Sequence, residues 1–216
     1  MTDLPEKLIT GYKSFIANRF AQENTRYKQL ARDGQKPEIM MIACCDSRSA
    51  PEMIFDTDPG EVFVMRNVAN QIPPFQPDGE YHATSAALEY AVQSIGVKHI
   101  VVLGHGRCGG IRAALSPEAD PLSSNDFIGK WMHLLKPAAE MVLSNELMTE
   151  GERQTALERI SLRFSVANLR TFPWIAEREK AGELTLHGAW FDISTGELWT
   201  LEKDTGEFIR PEFDVA

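Results

Sequence analysis

One stretch constrains this chain more than any other: Ile39-Met40-Met41-Ile42-Ala43-Cys44-Cys45-Asp46-Ser47-Arg48. An apolar, strand-like run stops abruptly at two thiols, a carboxylate and a guanidinium. A strand ending in such a group is costly unless something binds it. The fold must therefore bring a partner to this strand end. The sequence offers one in Gly104-His105-Gly106-Arg107-Cys108-Gly109-Gly110, which closes a second apolar run, Ile100-Val101-Val102-Leu103.

The remaining chain alternates helix-like and strand-like patterns. Leu8, Tyr12, Ile16, Phe20, Tyr27 and Leu30 recur at three- to four-residue intervals over much of the stretch from Leu4 to about Asp33, which reads as one long helix. Gly34 and Pro37 end it. Residues 1–34 then form a helical arm that can pack on its own domain or on a partner subunit. Glu38 to Cys44, Val62 to Met65 and His99 to Leu103 read as strands, the last all apolar after its His, as in a parallel strand covered on both faces. Pro51 to Phe55 is a short helix with Pro in its first turn. Thr84 to Ile95 is amphipathic and helical, and Gly109 to Leu115 starts another helix. Loops are expected over Pro73–Gly79 and Ser116–Asn125. Phe127 to Leu147 and Glu152 to Lys180 are helical, interrupted near Gly151 and by Pro173. Leu184 to Asp192 is a strand joined through a turn at Ser194–Glu197 to a partner, Leu198 to Glu202. The expectation is a single α/β domain over residues 1–216. Its central, mostly parallel sheet has about four parallel strands plus an antiparallel edge strand, flanked by helices.

Composition narrows the function classes. The 216 residues carry a formal net charge of −9, which argues against nucleic acid as a partner. No apolar run approaches the roughly 20 residues of a membrane span, and the N-terminal residues lack the pattern of a signal peptide. A cytoplasmic location is expected. Three cysteines do not make a disulfide framework. In a reducing compartment, clustered cysteines point to metal binding or catalysis.

If extended geometry continues past the strand end, Cys44, Asp46 and Arg48 face one way and Cys45 and Ser47 the other. His105 and Cys108, three residues apart at a strand-to-helix turn, fall near one point. Cys44, His105 and Cys108 together suit zinc. Three protein ligands leave the fourth tetrahedral position open, as in catalytic sites. Asp46 either fills that position or hydrogen-bonds a water held there. Cys45 reads as a bystander, and His82, His99, His133 and His187 as surface or structural. The stretch Gly104–Gly109 also matches G-x-G-x-x-G, but a dinucleotide fold wants a second strand ending in an acid about 20 residues on. Here Ser116–Pro121 is loop, and the Cys and His would go unexplained.

With both clusters in hand the sequence resembles the β-class carbonic anhydrases. The family's C-x-D-S-R is similar to Cys44-Cys45-Asp46-Ser47-Arg48 and its H-x-x-C to His105-Gly106-Arg107-Cys108. The stretches Pro59–Asn70, Ser85–Val92 and Leu186–Gly196 are also similar, so the resemblance covers about residues 35 to 200. It implies interconversion of carbon dioxide and bicarbonate on one Zn2+ per chain, held by Cys44, His105 and Cys108. Zinc lowers the pKa of bound water and supplies hydroxide near neutral pH. Asp46 would accept a hydrogen bond from the hydroxide, and Arg48 would hold Asp46 ionised and aimed. Two thiolates cancel the metal's charge, so an alkaline-leaning rate profile is expected.

The family has an open version and a version in which the Asp can swing onto zinc. The second uses a Trp three residues before the first Cys and tends to have a Gly just before it. This chain has Met41 and Ala43, which favours the open, plant-like version. Gln35, Phe63, Val68, Tyr90 and Gly109 match residues that line the substrate pocket in plant-like members. A His often found four residues after the pocket Tyr as a proton shuttle is Ser94 here. The family's pocket lies at a dimer interface, which implies a homodimer, or a dimer of dimers, with the arm exchanged. Two other readings are a regulatory relative that keeps the metal and an enzyme acting on another small heterocumulene. Asp46 and Arg48 speak against the first, since a structural zinc does not need them.

Overall fold

A computed structural model describes residues 4–78, 82–116 and 121–212. Gly79 and residues 117–120 of the two expected loops lie outside the described residues. Among the described residues six strands form one sheet: β1 (Ile39–Cys44), β2 (Val62–Asn67), β3 (His99–His105), β4 (Thr185–Phe191), β5 (Leu198–Leu201) and β6 (Phe208–Ile209). Their order is β2-β1-β3-β4-β5-β6. The first four are parallel, and β5 and β6 add antiparallel at one edge. This is the expected architecture with one further short strand. The chain leaves β1 toward β2 on one side and returns as β3 on the other. The carboxyl ends of β1 and β3 therefore flank a crevice where such sheets bind ligands. Register pairs Cys44 with Asn67 and Ala43 with Leu103, so the ends of β1 and β3 reach the same edge.

The helices are α1 (Glu6–Ala17), α2 (Arg19–Asp33), α3 (Pro51–Ile54), α4 (Ala83–Glu89), α5 (Gly109–Ala114), α6 (Phe127–Met132), α7 (Lys136–Leu143), α8 (Glu150–Leu169) and α9 (Pro173–Lys180). Side-chain alternation sorts the sheet's two faces. Met40, Ile42, Ile100, Val102 and Leu186 point toward α4, α8 and α9, where Leu88, Leu162, Leu169, Phe172 and Ile175 close the main core. Each such fully buried side chain contributes about 1.5–3 kcal/mol. Met41, Ala43, Leu103 and Ala189 point to the other face, packed with Ile54 of α3. That face is thinly covered, since Ile39, Val62, Val64 and Val101 remain half-buried.

The expected helices are refined at three places. The first helix is two. It breaks at Asn18, whose side-chain amide turns back to the Ser14 carbonyl at 2.9 Å. Phe15 on α1 then packs against Phe20 and Tyr27 on α2, both at 5.9 Å, so the break folds one helix onto the other. The interruption expected near Gly151 is there, between Leu143 and Glu150, just ahead of Gly151 itself. Gly151 lies in the first turn of α8, after Thr149, which with Glu152 forms a capping box. Finally, the helix after Ala83 does not stay α. From Tyr90 to Ile95 it widens to a π-turn and stops at Gly96, which takes φ +80°.

Candidate metal centre

Cys44 is the last residue of β1 and His105 the last of β3. Cys108 caps α5 one tight turn later, and the turn is made by Arg107 at φ +58°. Cys44, His105 and Cys108 are all buried, and one ligand atom from each lies within 4.8 Å of the others. The two sulfurs are 3.9 Å apart. Tetrahedral zinc with Zn–S near 2.3 Å would space two sulfurs by about 3.8 Å.

The histidine fits the same test. Its Nδ1 lies 3.0 Å from the Gly106 carbonyl, which places the proton on Nδ1 and the lone pair on Nε2. Nε2 is buried and has no hydrogen-bond partner among the described residues, an expensive state unless a metal takes it. The thiols are prepared as well. The hydrogen bond from Cys108 pulls the Cys44 thiol down to about 4, against its burial, with His105 and backbone N–H groups assisting. The same contact, together with burial, pushes Cys108 up. The pair thus holds a thiolate at neutral pH. Ala69 N donates to the Cys44 sulfur at 3.3 Å.

Asp46 and Arg48 meet, but not by the expected alternation. Extended geometry stops at Cys44, and Ser47–Ser49 form a 3-10 turn capped by Asp46. Asp46 Oδ1 accepts from Arg48 N and Nε, both at 2.9 Å, and Oδ2 from Nη2 at 2.6 Å. Chiefly through these bonds from Arg48, the Asp46 carboxyl is held far below the usual carboxylate range. Its Oδ2 stands 4.0 Å from His105 Nε2, so the carboxylate overlooks the three ligands. Arg66 pins the backbone between them, donating to the carbonyls of Cys44 at 2.8 Å and Asp46 at 2.7 Å. Cys45 is exposed and carries a free thiol.

The pocket residues fall into two groups. Val68 and Gly109 lie beside the ligands. A Cβ on Gly110 would come within 2.9 Å of Val68 Cγ1, whereas one on Gly109 would meet open space. Phe63 and Tyr90 instead pack on each other, ring centroids 5.9 Å apart. Phe63 pairs with Met40, four residues before Cys44 and so about 13 Å down the strand. Gln35 is exposed and precedes β1, at the same far end. Within one chain these three do not gather around the ligands.

Sequence reasoning missed Glu158. This α8 carboxylate is 3% exposed. It accepts from Cys108 N at 3.0 Å, Gln154 Nε2 at 3.2 Å and Trp190 Nε1 at 3.2 Å. Gln154 also donates to the Cys108 carbonyl at 3.2 Å, so two α8 residues grip the backbone of one ligand. The available signal was a polar stripe at helical spacing: Gln154, Glu158, Ser161 and Ser165 are all buried.

Comparison with known proteins agrees with this geometry. The carbonic anhydrase family profile matches residues 39–198. β carbonic anhydrase 5, chloroplastic, of Arabidopsis thaliana is 35% identical over 205 residues, covering 93% of this chain and 66% of that relative's length. Among solved structures, the β-carbonic anhydrase CcaA is 30% identical with a TM-score of 0.87, covering 97% of this chain and 92% of that one. One of two tetrameric β-carbonic anhydrases from Sordaria macrospora is 30% identical with a TM-score of 0.77, over 91% and 95%.

Proposed function

The chain belongs to the carbonic anhydrase family, in its β class, and on that premise we propose that it hydrates carbon dioxide reversibly at a zinc site that stays open to water. The observation that carries this is the buried, unpartnered His105 Nε2 set among two thiols and faced by Asp46. Cys44, His105 and Cys108 would hold the ion. Zinc, when bound, acidifies a water molecule so that hydroxide is available near neutral pH.

The chain's own groups do the rest. Asp46, ionised by its contacts with Arg48, accepts a hydrogen bond from the nucleophile and turns its lone pair toward carbon dioxide. Arg48 occupies both carboxylate oxygens, which favours Asp46 as a second layer over Asp46 as a ligand. The open space beside Gly109 gives the linear substrate room, and Val68 supplies an apolar wall. Ser94 stands where many plant-like members carry a shuttling His, so the released proton leaves through buffer, water or another group of the chain.

The single domain works as a homodimer, or a dimer of dimers, with residues 1–34 as the arm. The thinly covered sheet face and α1 support this, because α1 buries no residue and leaves Leu8 58% and Tyr12 64% exposed. Gln35, Phe63 and Tyr90, about one strand length from their own Cys44, then line the partner's pocket. A reducing cytoplasm suits Cys44 and Cys108, which as zinc ligands must stay unoxidised. No described helix is long and apolar enough to cross a membrane.

Stopped-flow hydration with metal analysis, on wild type and Asp46→Asn, tests the reading. Stoichiometric zinc with wild-type hydration lost in the variant is the expected result. Stoichiometric zinc with no wild-type hydration at any pH refutes it. For the open site, a crystal structure at clearly alkaline pH should show Asp46 off the metal; Asp46 ligating there would contradict that part.

A further inference from the structure

Arg107 stands between two metal ligands in a conformation that suits glycine better. Its φ of +58° lies in the left-handed region, which residues with a Cβ seldom adopt. The surrounding stretch is rich in glycine, so the turn alone does not explain an arginine. Its side chain does. Arg107 Nη1 donates to Asp192 Oδ1 at 2.9 Å. Asp192 follows β4, and the same oxygen accepts from Ser194 N at 2.8 Å and Ser194 Oγ at 2.6 Å. The backbone of the turn is tied to the same place, since Gly106 N donates to the Phe191 carbonyl at 2.8 Å.

On its other side the Arg107 carbonyl accepts from Arg48 Nη2 at 3.4 Å. That nitrogen is the one that donates to Asp46 Oδ2. A continuous line of contacts therefore runs from Asp192 through Arg107 and Arg48 to Asp46.

We propose that Asp192 and Arg107 are positioning residues that aim the Arg48–Asp46 pair, acting from the end of β4 through the left-handed turn between the ligands. This rests on the carbonic anhydrase reading of the site, because its effect is on the group that orients the nucleophile. Neither residue touches substrate.

The test is made on zinc-loaded enzyme with Asp192→Asn, Arg107→Gly, the double variant and Arg107→Lys. Arg107→Gly removes the guanidinium while suiting the backbone, so it separates anchoring from turn formation. Each single change should lower kcat/KM roughly tenfold, the scale typical of groups that orient a metal site from outside it. Zinc content and melting temperature should stay near wild type. The double variant should lose no more than either single, since both break one line of contact. Lysine, which still reaches Asp192, should recover part of the loss. A crystal structure of Arg107→Gly should show Arg48 Nη2 moved away from Asp46 Oδ2. Wild-type kcat/KM in Arg107→Gly, losses that multiply in the double variant, or an unmoved Arg48 would each overturn the proposal. Should Asp192→Asn fail to fold, the two Arg107 variants decide alone. The wild-type rate, measured alongside, tests the carbonic anhydrase reading separately.

Discussion

Replacing Glu158 by Gln keeps the shape of the side chain and exchanges one acceptor for a donor. Glu158 receives three N–H groups: Cys108 N and Gln154 Nε2 on Oε1, and Trp190 Nε1 on Oε2. A glutamine can satisfy the first two with its carbonyl, but its NH2 then points at the indole N–H. The flipped orientation would orphan two donors, so the first is preferred. A buried donor left unpaired costs about 1–3 kcal/mol. Burial pushes the Glu158 pKa up, so loss of the charge relieves some desolvation and offsets part of that cost. A net loss of about 1–2 kcal/mol lowers the melting temperature of a domain this size by about 2–8 °C.

The decisive measurement is a cycle with Trp190→Phe, at fixed free zinc so that metal linkage is constant. Removing the indole N–H alone costs its bond to the carboxylate and some packing. Removing it in the Glu158→Gln background also removes the donor–donor contact. The packing loss occurs in both backgrounds, and the charge loss occurs with and without the indole, so both cancel. The double variant should fall short of the summed losses by about 1.5–3 kcal/mol, the range for a hydrogen bond to a charged group. Losses that add to within about 0.5 kcal/mol would refute the assigned bond and the argument built on it.

Other perturbations follow from the same geometry. Arg48→Lys keeps the charge but loses the fork that engages both oxygens of Asp46; kcat/KM should fall roughly tenfold with zinc retained, and an unchanged value would count against Arg48 as the orienting group. Thiol labelling should find one reactive cysteine in the folded zinc protein, Cys45, and three after chelation and denaturation; Cys45→Ser should abolish the first and keep hydration within about twofold, because it trades an exposed thiol for a hydroxyl of similar size. The rate profile should show a single ionisation and lean alkaline. Asp46 is already ionised below the ordinary carboxylate range, so raising pH does not charge it, and only strong acid discharges it. An added acid limb between about pH 4 and 6, the range in which an unperturbed carboxyl completes its ionisation, would mean that Arg48 does not hold it.

Much of the site was legible because its chemistry is local. Two apolar runs ending in Cys44 and in His105–Cys108 require a strand end and a turn, and parallel pairing brings them to one edge. The π-turn at Tyr90 left no mark in the apolar periodicity, and the break at Asn18 involves neither Gly nor Pro. Glu158 was harder still. Its role depends on α8 crossing behind Cys108, fifty positions away, and that is set by packing of the whole core. Only the polar stripe on α8 pointed to a buried network.

Asp46 and Arg48 make the sharper case, since their side chains do pair, but not for the expected reason. Alternation along an extended strand would put both on one face, two residues apart, with side chains roughly parallel and solvent free to enter between them. The 3-10 turn does something alternation cannot. It folds Arg48 back so that its backbone N–H and its guanidinium reach the same carboxylate. A short Asp before a tight turn is a common cap, and here the cap is also the group facing the metal ligands. The local motif that ends the strand therefore holds Asp46 ionised through contacts within three residues of sequence, and Arg107, Asp192 and Arg66 have only to hold that motif over the site.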